Sequence, residues 1–208
     1  MIKLKDCSKK YGEKEVFADL NYTFENEVYW LLGKNGVGKS VFCRCLVGLE
    51  KFSTGLISGE LGNVLFLPDT SLGEKWLTLN ESIDLMLFYY GIHISEDEKQ
   101  EIKEKLEIGD GNDLVSRVSV GTSMKIGLFL LFVRDFWQTI ILDETLSHLD
   151  VQMKDKVVSE LFQRKEEGAV TLLINHGKIL TKEDKFCMKK IYLAEDGIFH
   201  EQEKIVTS

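Results

Sequence analysis

The sequence predicts an α/β core interrupted by a mostly helical insert, and three observations predict it. Short apolar runs of strand length alternate with longer helical patterns at both ends of the chain. The middle third, residues 72–136, loses that alternation and reads as successive helices. The apolar run at residues 28–32 leads straight into a glycine-rich turn and then a helical pattern, the junction that a parallel strand–helix unit requires. With 208 residues, 44% of them apolar and 29% charged, the chain can bury one sizeable core. A single soluble domain is therefore expected over residues 1–208, with its core at about 1–70 and 137–208 and its lobe at about 71–136.

The elements follow in order. Residues 2–6 and 21–24 alternate apolar and polar side chains, as half-buried strands do. Residues 28–32 are apolar throughout, the mark of a strand covered on both faces, and residues 41–47 continue as a helix after the turn. A second β segment takes in residues 55–58 and 63–67 and stops at Pro68, the only proline. Thr78, with Glu81 three residues on, is a capping box ahead of a helix over residues 82–90. Residues 95–107 read as a charged surface helix, 109–112 as a loop, and about 122–136 as a third helix. Strand–helix alternation returns with 139–142, 151–167 and 171–174, and Glu195-Asp196-Gly197 reads as a hairpin turn between two final strands.

Composition excludes some functions. The formal net charge is −8 with both signs interspersed, which argues against nonspecific nucleic-acid binding, since that depends on a basic face. Cys7, Cys43, Cys45 and Cys187 lack metal-ligand spacing and read as small buried thiols of a reducing compartment. The first six residues carry charge from the start, unlike a signal peptide, and the longest apolar run, near residues 126–133, is far short of a membrane span. Any membrane role therefore calls for a separate partner.

Chemistry concentrates in Gly33-Lys34-Asn35-Gly36-Val37-Gly38-Lys39-Ser40, followed by Val41. The pattern G-x-x-x-x-G-K-[ST] binds nucleotide phosphates for a physical reason. Glycines let successive backbone N–H groups turn inward around an anion, and the next helix aims its positive N-terminus at the same point. Lys39 would reach the β- and γ-phosphates and the Ser40 hydroxyl would ligate Mg²⁺. A nucleoside triphosphate is the expected ligand. Downstream, an apolar strand ends in Asp143-Glu144, placing one carboxylate to help hold the metal and a second to orient or deprotonate water. A third strand ends in Asn175-His176, where an imidazole could bond the γ-phosphate.

Together these residues resemble the ATPase subunit of ABC transporters, over nearly the whole chain. Lys10-Tyr11-Gly12 resembles that family's aromatic loop, which would stack Tyr11 on adenine. Gly33 to Ser40 resembles Walker A, Ile140 to Glu144 resembles Walker B, and Leu149-Asp150 resembles the D-loop. His176 falls at the switch histidine, Asp69 at the Q-loop position, and Ser119-Val120-Gly121-Thr122 at the signature segment. The resemblance implies an α/β P-loop NTPase fold of the ABC type, a mixed sheet core with an antiparallel β part and a helical lobe, and ATP with Mg²⁺ held by Ser40, Asp143 and Asp69. It also implies catalysis by Lys39, Glu144 and His176. Ser119 and Gly121 would meet the γ-phosphate bound to a partner, in a head-to-tail pair of this chain with itself or a paralogous subunit.

The chain departs from the family pattern at Val120 and Thr122, where glycine and glutamine are usual, at Asp69 for a glutamine, and at Thr145 and His148 for a proline and a glycine. The resemblance implies ATP hydrolysis that drives transport through a transmembrane permease subunit, at the inner face of the cell membrane. Residues 72–90, with Trp76, Met86, Phe88, Tyr89 and Tyr90, suit the docking surface, although Ile83, Met86, Leu87 and Tyr90 also fit an ordinary core-facing stripe. Two other functions stay open: a catalytically weak nucleotide-binding partner in a heterodimer, and a soluble ATPase of the same type acting on a macromolecular assembly.

Overall fold

The computed structural model describes residues 1–175, 188–194 and 199–201. Two sheets organise them. Strands β1 (Ile2–Tyr11), β2 (Lys14–Phe24) and β4 (Thr54–Gly59) form an antiparallel sheet in the order β2-β1-β4. Strands β3 (Val28–Leu32), β5 (Val64–Leu67), β6 (Thr139–Asp143), β7 (Val170–Ile174), β8 (Lys189–Leu193) and β9 (Phe199–Glu201) form a second sheet in the order β5-β6-β7-β3-β8-β9. It is parallel except for β9, which returns antiparallel to β8. The expected turn at 195–197 lies outside the described residues.

Helix α1 (Lys39–Leu46) follows β3, and α2 (Leu79–Tyr90), α3 (Glu96–Lys105) and α4 (Val120–Leu131) lie between β5 and β6. Helix α5 (Val151–Glu166) connects β6 to β7. The capping box before α2 forms as its residues dictate: Thr78 Oγ1 accepts from the Glu81 amide, and the Glu81 carboxylate accepts from the Thr78 amide. Ser95, Ser119 and Asp150 cap α3, α4 and α5 in the same way, each with its side-chain oxygen on a first-turn amide.

Three expectations need correction. Residues 55–58 and 63–67 are not one segment: the first pairs with β1 and the second with β6, in different sheets. Gly59 and Gly62, both at positive φ, redirect the chain between them. The third helix of the insert ends at Leu131 instead of Phe136: the amides of Phe132 and Val133 bond only three residues back, to Phe129 and Leu130, and Asp135 is left-handed at φ 53°. The charged helix is likewise shorter than 95–107, ending at Lys105 ahead of Glu107, whose φ is 55°.

Apolar side chains gather on the two faces of the parallel sheet. One face carries Phe17, Phe24, Tyr29, Phe42 and Leu46 between the two sheets and α1. The other carries Leu65, Ile140 and Leu142 against α5 and continues without a break into Leu79, Ile83, Met124 and Phe129 of the insert. Cys7, Cys43 and Cys45 are free and buried, Cys7 and Cys43 in the first of these cores. Cys187 lies outside the described residues.

Candidate functional site

Three strand ends and one helix start converge at the C-terminal edge of the parallel sheet. Helix α1 begins at Lys39 because Gly38 caps it at φ 109°, a conformation closed to most side chains. Even a methyl group at Gly38 would sit 2.5 Å from Val16 Cγ1, and one at Gly33 would sit 2.6 Å from the Leu193 carbonyl oxygen. The loop from Gly33 to Ser40 is thus shaped by contact with β2 and β8 as well as by its own torsions. Lys39 Nζ donates to the carbonyls of Gly33 (2.9 Å) and Lys34 (3.0 Å), closing the loop into a ring around its ammonium. Burial lowers the Lys39 pKa, and the carboxylates of Glu144 and Asp143 work against that.

Across the loop, Ser40 Oγ donates to Asp143 Oδ1 at 2.9 Å. Asp143 is buried at the end of β6, and that burial raises its pKa; the Ser40 bond opposes the rise, while Glu144 and Asp69 add to it. Asp69 itself is exposed, one residue beyond Pro68, within electrostatic reach of Asp143. Glu144 occupies a left-handed conformation (φ 58°), with its amide bonded to the Ile174 carbonyl of β7 at 2.9 Å. Its side chain lines a cleft of about 450 Å³ together with Asn35, Gly36, Gly38, Lys39, Ser40 and Val41. A hydroxyl, an ammonium and the Glu144 carboxylate around one open cleft, with buried Asp143 bonded to that hydroxyl and a helix N-terminus beside them, suit a polyphosphate with a hard divalent cation.

Thr145 follows Glu144. It is buried, and its hydroxyl donates to the Leu67 carbonyl at 2.8 Å, tying the end of β6 to the end of β5 just before Asp69. Its sequence position gave no sign of this contact, because the partner lies 78 residues away.

The signature-like segment opens α4 on another part of the surface. Ser119 Oγ accepts from the Thr122 amide at 3.1 Å and lies 2.8 Å from the Thr122 hydroxyl. Val120 is 57% exposed at the helix start. Gly121 packs so closely on the turn after Glu144 that an added Cβ would stand 2.7 Å from the His148 carbonyl oxygen. Tyr11 ends β1 and is 48% exposed, its hydroxyl bonded to the Glu50 carboxylate. His176 lies outside the described residues, one position beyond Asn175, whose side chain contacts Ser147 Oγ at 3.4 Å.

Glu50, Arg44 and Lys9, which surround Tyr11, carry no signal of their own in the sequence. They sit on separate elements at spacings that belong to no motif.

Known proteins resemble this chain in sequence and in fold. The family described as ABC transporter matches residues 17–147. An uncharacterised ABC transporter ATP-binding protein of Methanocaldococcus jannaschii is 28% identical over 208 aligned residues, spanning 96% of this chain and 76% of that protein. The arginine transport ATP-binding protein of Bacillus subtilis is 26% identical, over 95% of this chain and 91% of that one. Among solved structures, an ATP-binding subunit of an ABC transporter superposes with a TM-score of 0.82 at 23% identity, covering 98% of this chain and 90% of that one. A bacterial ABC transporter cassette solved as a dimer gives 0.78 at 21%, covering 98% of each chain. Both show the fold. With the family match over most of the chain, the chain belongs to the ABC transporter family, as an ATP-binding, ATP-hydrolysing subunit whose turnover drives transport.

Proposed function

We propose that this chain works as one half of a head-to-tail pair, with itself or a paralogous subunit, docked on a transmembrane permease at the cytoplasmic face of the cell membrane. The observation that carries the reading is the bond at 2.9 Å from Ser40, which lines a cleft with Lys39 and Glu144, to the buried Asp143. In the roles assigned here, the loop amides and Lys39 bind the β- and γ-phosphates, Lys39 exchanging its two carbonyl partners for phosphate oxygens. Ser40 and Asp143, with Asp69 through water, would hold Mg²⁺, whose contribution is to neutralise charge on the phosphate oxygens. Glu144 orients or deprotonates the attacking water, and Tyr11 stacks on the base. His176 is assigned a γ-phosphate contact on its sequence position.

Ser119 and Gly121 serve the partner's nucleotide. The solved cassette of the same fold is a dimer, which supports pairing. A permease contact is supported by Trp76, Phe88 and Tyr89, which are 72%, 79% and 72% exposed. Ile83 and Leu87 of the same helix are buried, so that stripe belongs to the core. Residues 71–136 are read as the lobe that carries this surface. Among the described residues no helix is long and apolar enough to cross a membrane.

Glu144→Gln tests the chemistry. It should cut turnover about a hundredfold or more while favouring an ATP-dependent dimer by size-exclusion chromatography. Turnover like that of the parent would remove Glu144 from its role. Recovery of the tagged chain from detergent-solubilised native membranes, together with a multi-span protein in stoichiometric amount, checks the permease.

The exposed Val120 favours a second reading, a catalytically weak partner in a heterodimer, because its branched side chain stands where the usual glycine leaves room for phosphate. A large gain in turnover from Val120→Gly would select that reading; unchanged turnover would discard it.

A further inference from the structure

A charged assembly around Glu50 is not used by the phosphate chemistry. Glu50, just beyond α1, gathers three partners, two from the end of β1 and one from α1. Its Oε2 accepts from the Tyr11 hydroxyl at the end of β1 and pairs with Lys9 Nζ at 3.0 Å. Its Oε1 pairs with Nε of Arg44 on α1 at 2.7 Å. Lys9 is fixed in turn: its ammonium also donates to the Lys51 carbonyl at 2.8 Å and lies 4.7 Å from the centre of the Tyr11 ring. One face of that ring is therefore occupied by a cation, and the phenol edge is held by a carboxylate. Tyr11 is nevertheless 48% exposed. Arg44 stands five residues after Lys39 on α1, so the assembly connects the exposed ring to the helix that begins at the phosphate loop.

We propose that Glu50 is a positioning residue for base recognition: through Tyr11 and Arg44 it fixes the aromatic platform at a set distance from the phosphate loop. The inference rests on the reading of Tyr11 as the base platform. Its physical content is preorganisation. An exposed aromatic side chain at a strand end has rotamer freedom that base binding would have to remove; bonding the hydroxyl to a carboxylate anchored on α1 removes it beforehand. Lys9 leaves the other face of the ring for the base, and its charge on the near face strengthens the grip of Glu50 on the whole assembly. A ligand with phosphates and no base gains nothing from this arrangement.

The test compares binding of ATP and of inorganic tripolyphosphate, each with Mg²⁺, by titration calorimetry on the full chain and on Tyr11→Ala, Tyr11→Phe, Glu50→Gln and Glu50→Asp. Expected is a loss of about tenfold in ATP affinity for Glu50→Gln and for Tyr11→Phe, with tripolyphosphate affinity unchanged and partial recovery in Glu50→Asp. A general loss of structure would weaken both ligands together, and that outcome overturns the proposal. If Tyr11→Ala weakens ATP selectively and Glu50→Gln does not, the platform stands and the positioning role falls. If Tyr11→Ala weakens neither ligand, the platform reading and the inference built on it fall together.

Discussion

Glu50 shows how a single carboxylate reports on its surroundings. Bonds from Tyr11, Arg44 and Lys9 push its pKa from an ordinary 4.5 down to about 2. A carboxyl depressed in the folded state adds stability above its unfolded pKa and loses it as pH falls toward the folded one. Glu50→Gln should therefore lower the thermal midpoint at neutral pH and flatten its fall between about pH 4.5 and pH 2. Parallel pH profiles for parent and variant would contradict the bonding described here. At this scale the sequence is legible where function compresses residues into a contiguous string. Lys39 and Ser40 are adjacent, Asp143 and Glu144 are adjacent, and the fold brings the two pairs together. Glu50 and Thr145 were illegible for the opposite reason: their partners are scattered along the chain, and neither residue type is unusual where it stands.

Helix α4 gives the corresponding lesson for elements. Its start was read to within two residues, at about 122 against Val120, but its end was placed five residues too far. Phe132 and Val133 prolong the apolar run past Leu131, so periodicity alone carries the helix too far. The chain turns because Asp135 goes left-handed and because Arg164 takes the Val133 carbonyl at 2.9 Å. Within α4, Gly127 lies against β5 so closely that a Cβ would stand 2.9 Å from Leu67 Cδ2 and 3.4 Å from Leu72 Cδ1. Gly127→Leu should cost about 1–3 kcal/mol by overpacking, read from urea unfolding, and an undiminished midpoint would mean that this contact is looser than described. The β4–β5 error has a related origin. Two short apolar runs look alike in sequence, and the glycine turns that send them to different sheets act through backbone torsion, which hydrophobic pattern does not record.

For the molecule as a whole, the exit from the helical insert is pinned by a fully buried arginine. Arg164 pairs with Glu160 at 2.8 Å and Glu167 at 3.0 Å, and Glu167 also accepts from the Asp135 amide at 3.1 Å. Burial raises the pKa of Glu160 and the nearby Arg164 restrains it, so removing the guanidinium strands a buried acid. Arg164→Met should cost about 3–5 kcal/mol in chemical denaturation, and adding Glu160→Leu should recover part of it. A double variant no more stable than the single one would show that the ion pair is not the source of the loss. The insert has a second consequence through its apolar side chains. Leu79, Ile83, Met124 and Phe129 share one uninterrupted cluster with Leu65, Ile140 and Val157 of the sheet and α5. In the vocabulary of protein engineering, the lobe is not a portable part. Cuts near residues 71 and 136, which look natural from the order of elements, would halve a single dry interior and expose both halves to water. A chimaera with a relative's lobe would therefore have to carry over the matching faces of β5, β6 and α5, or inherit a seam of mismatched packing.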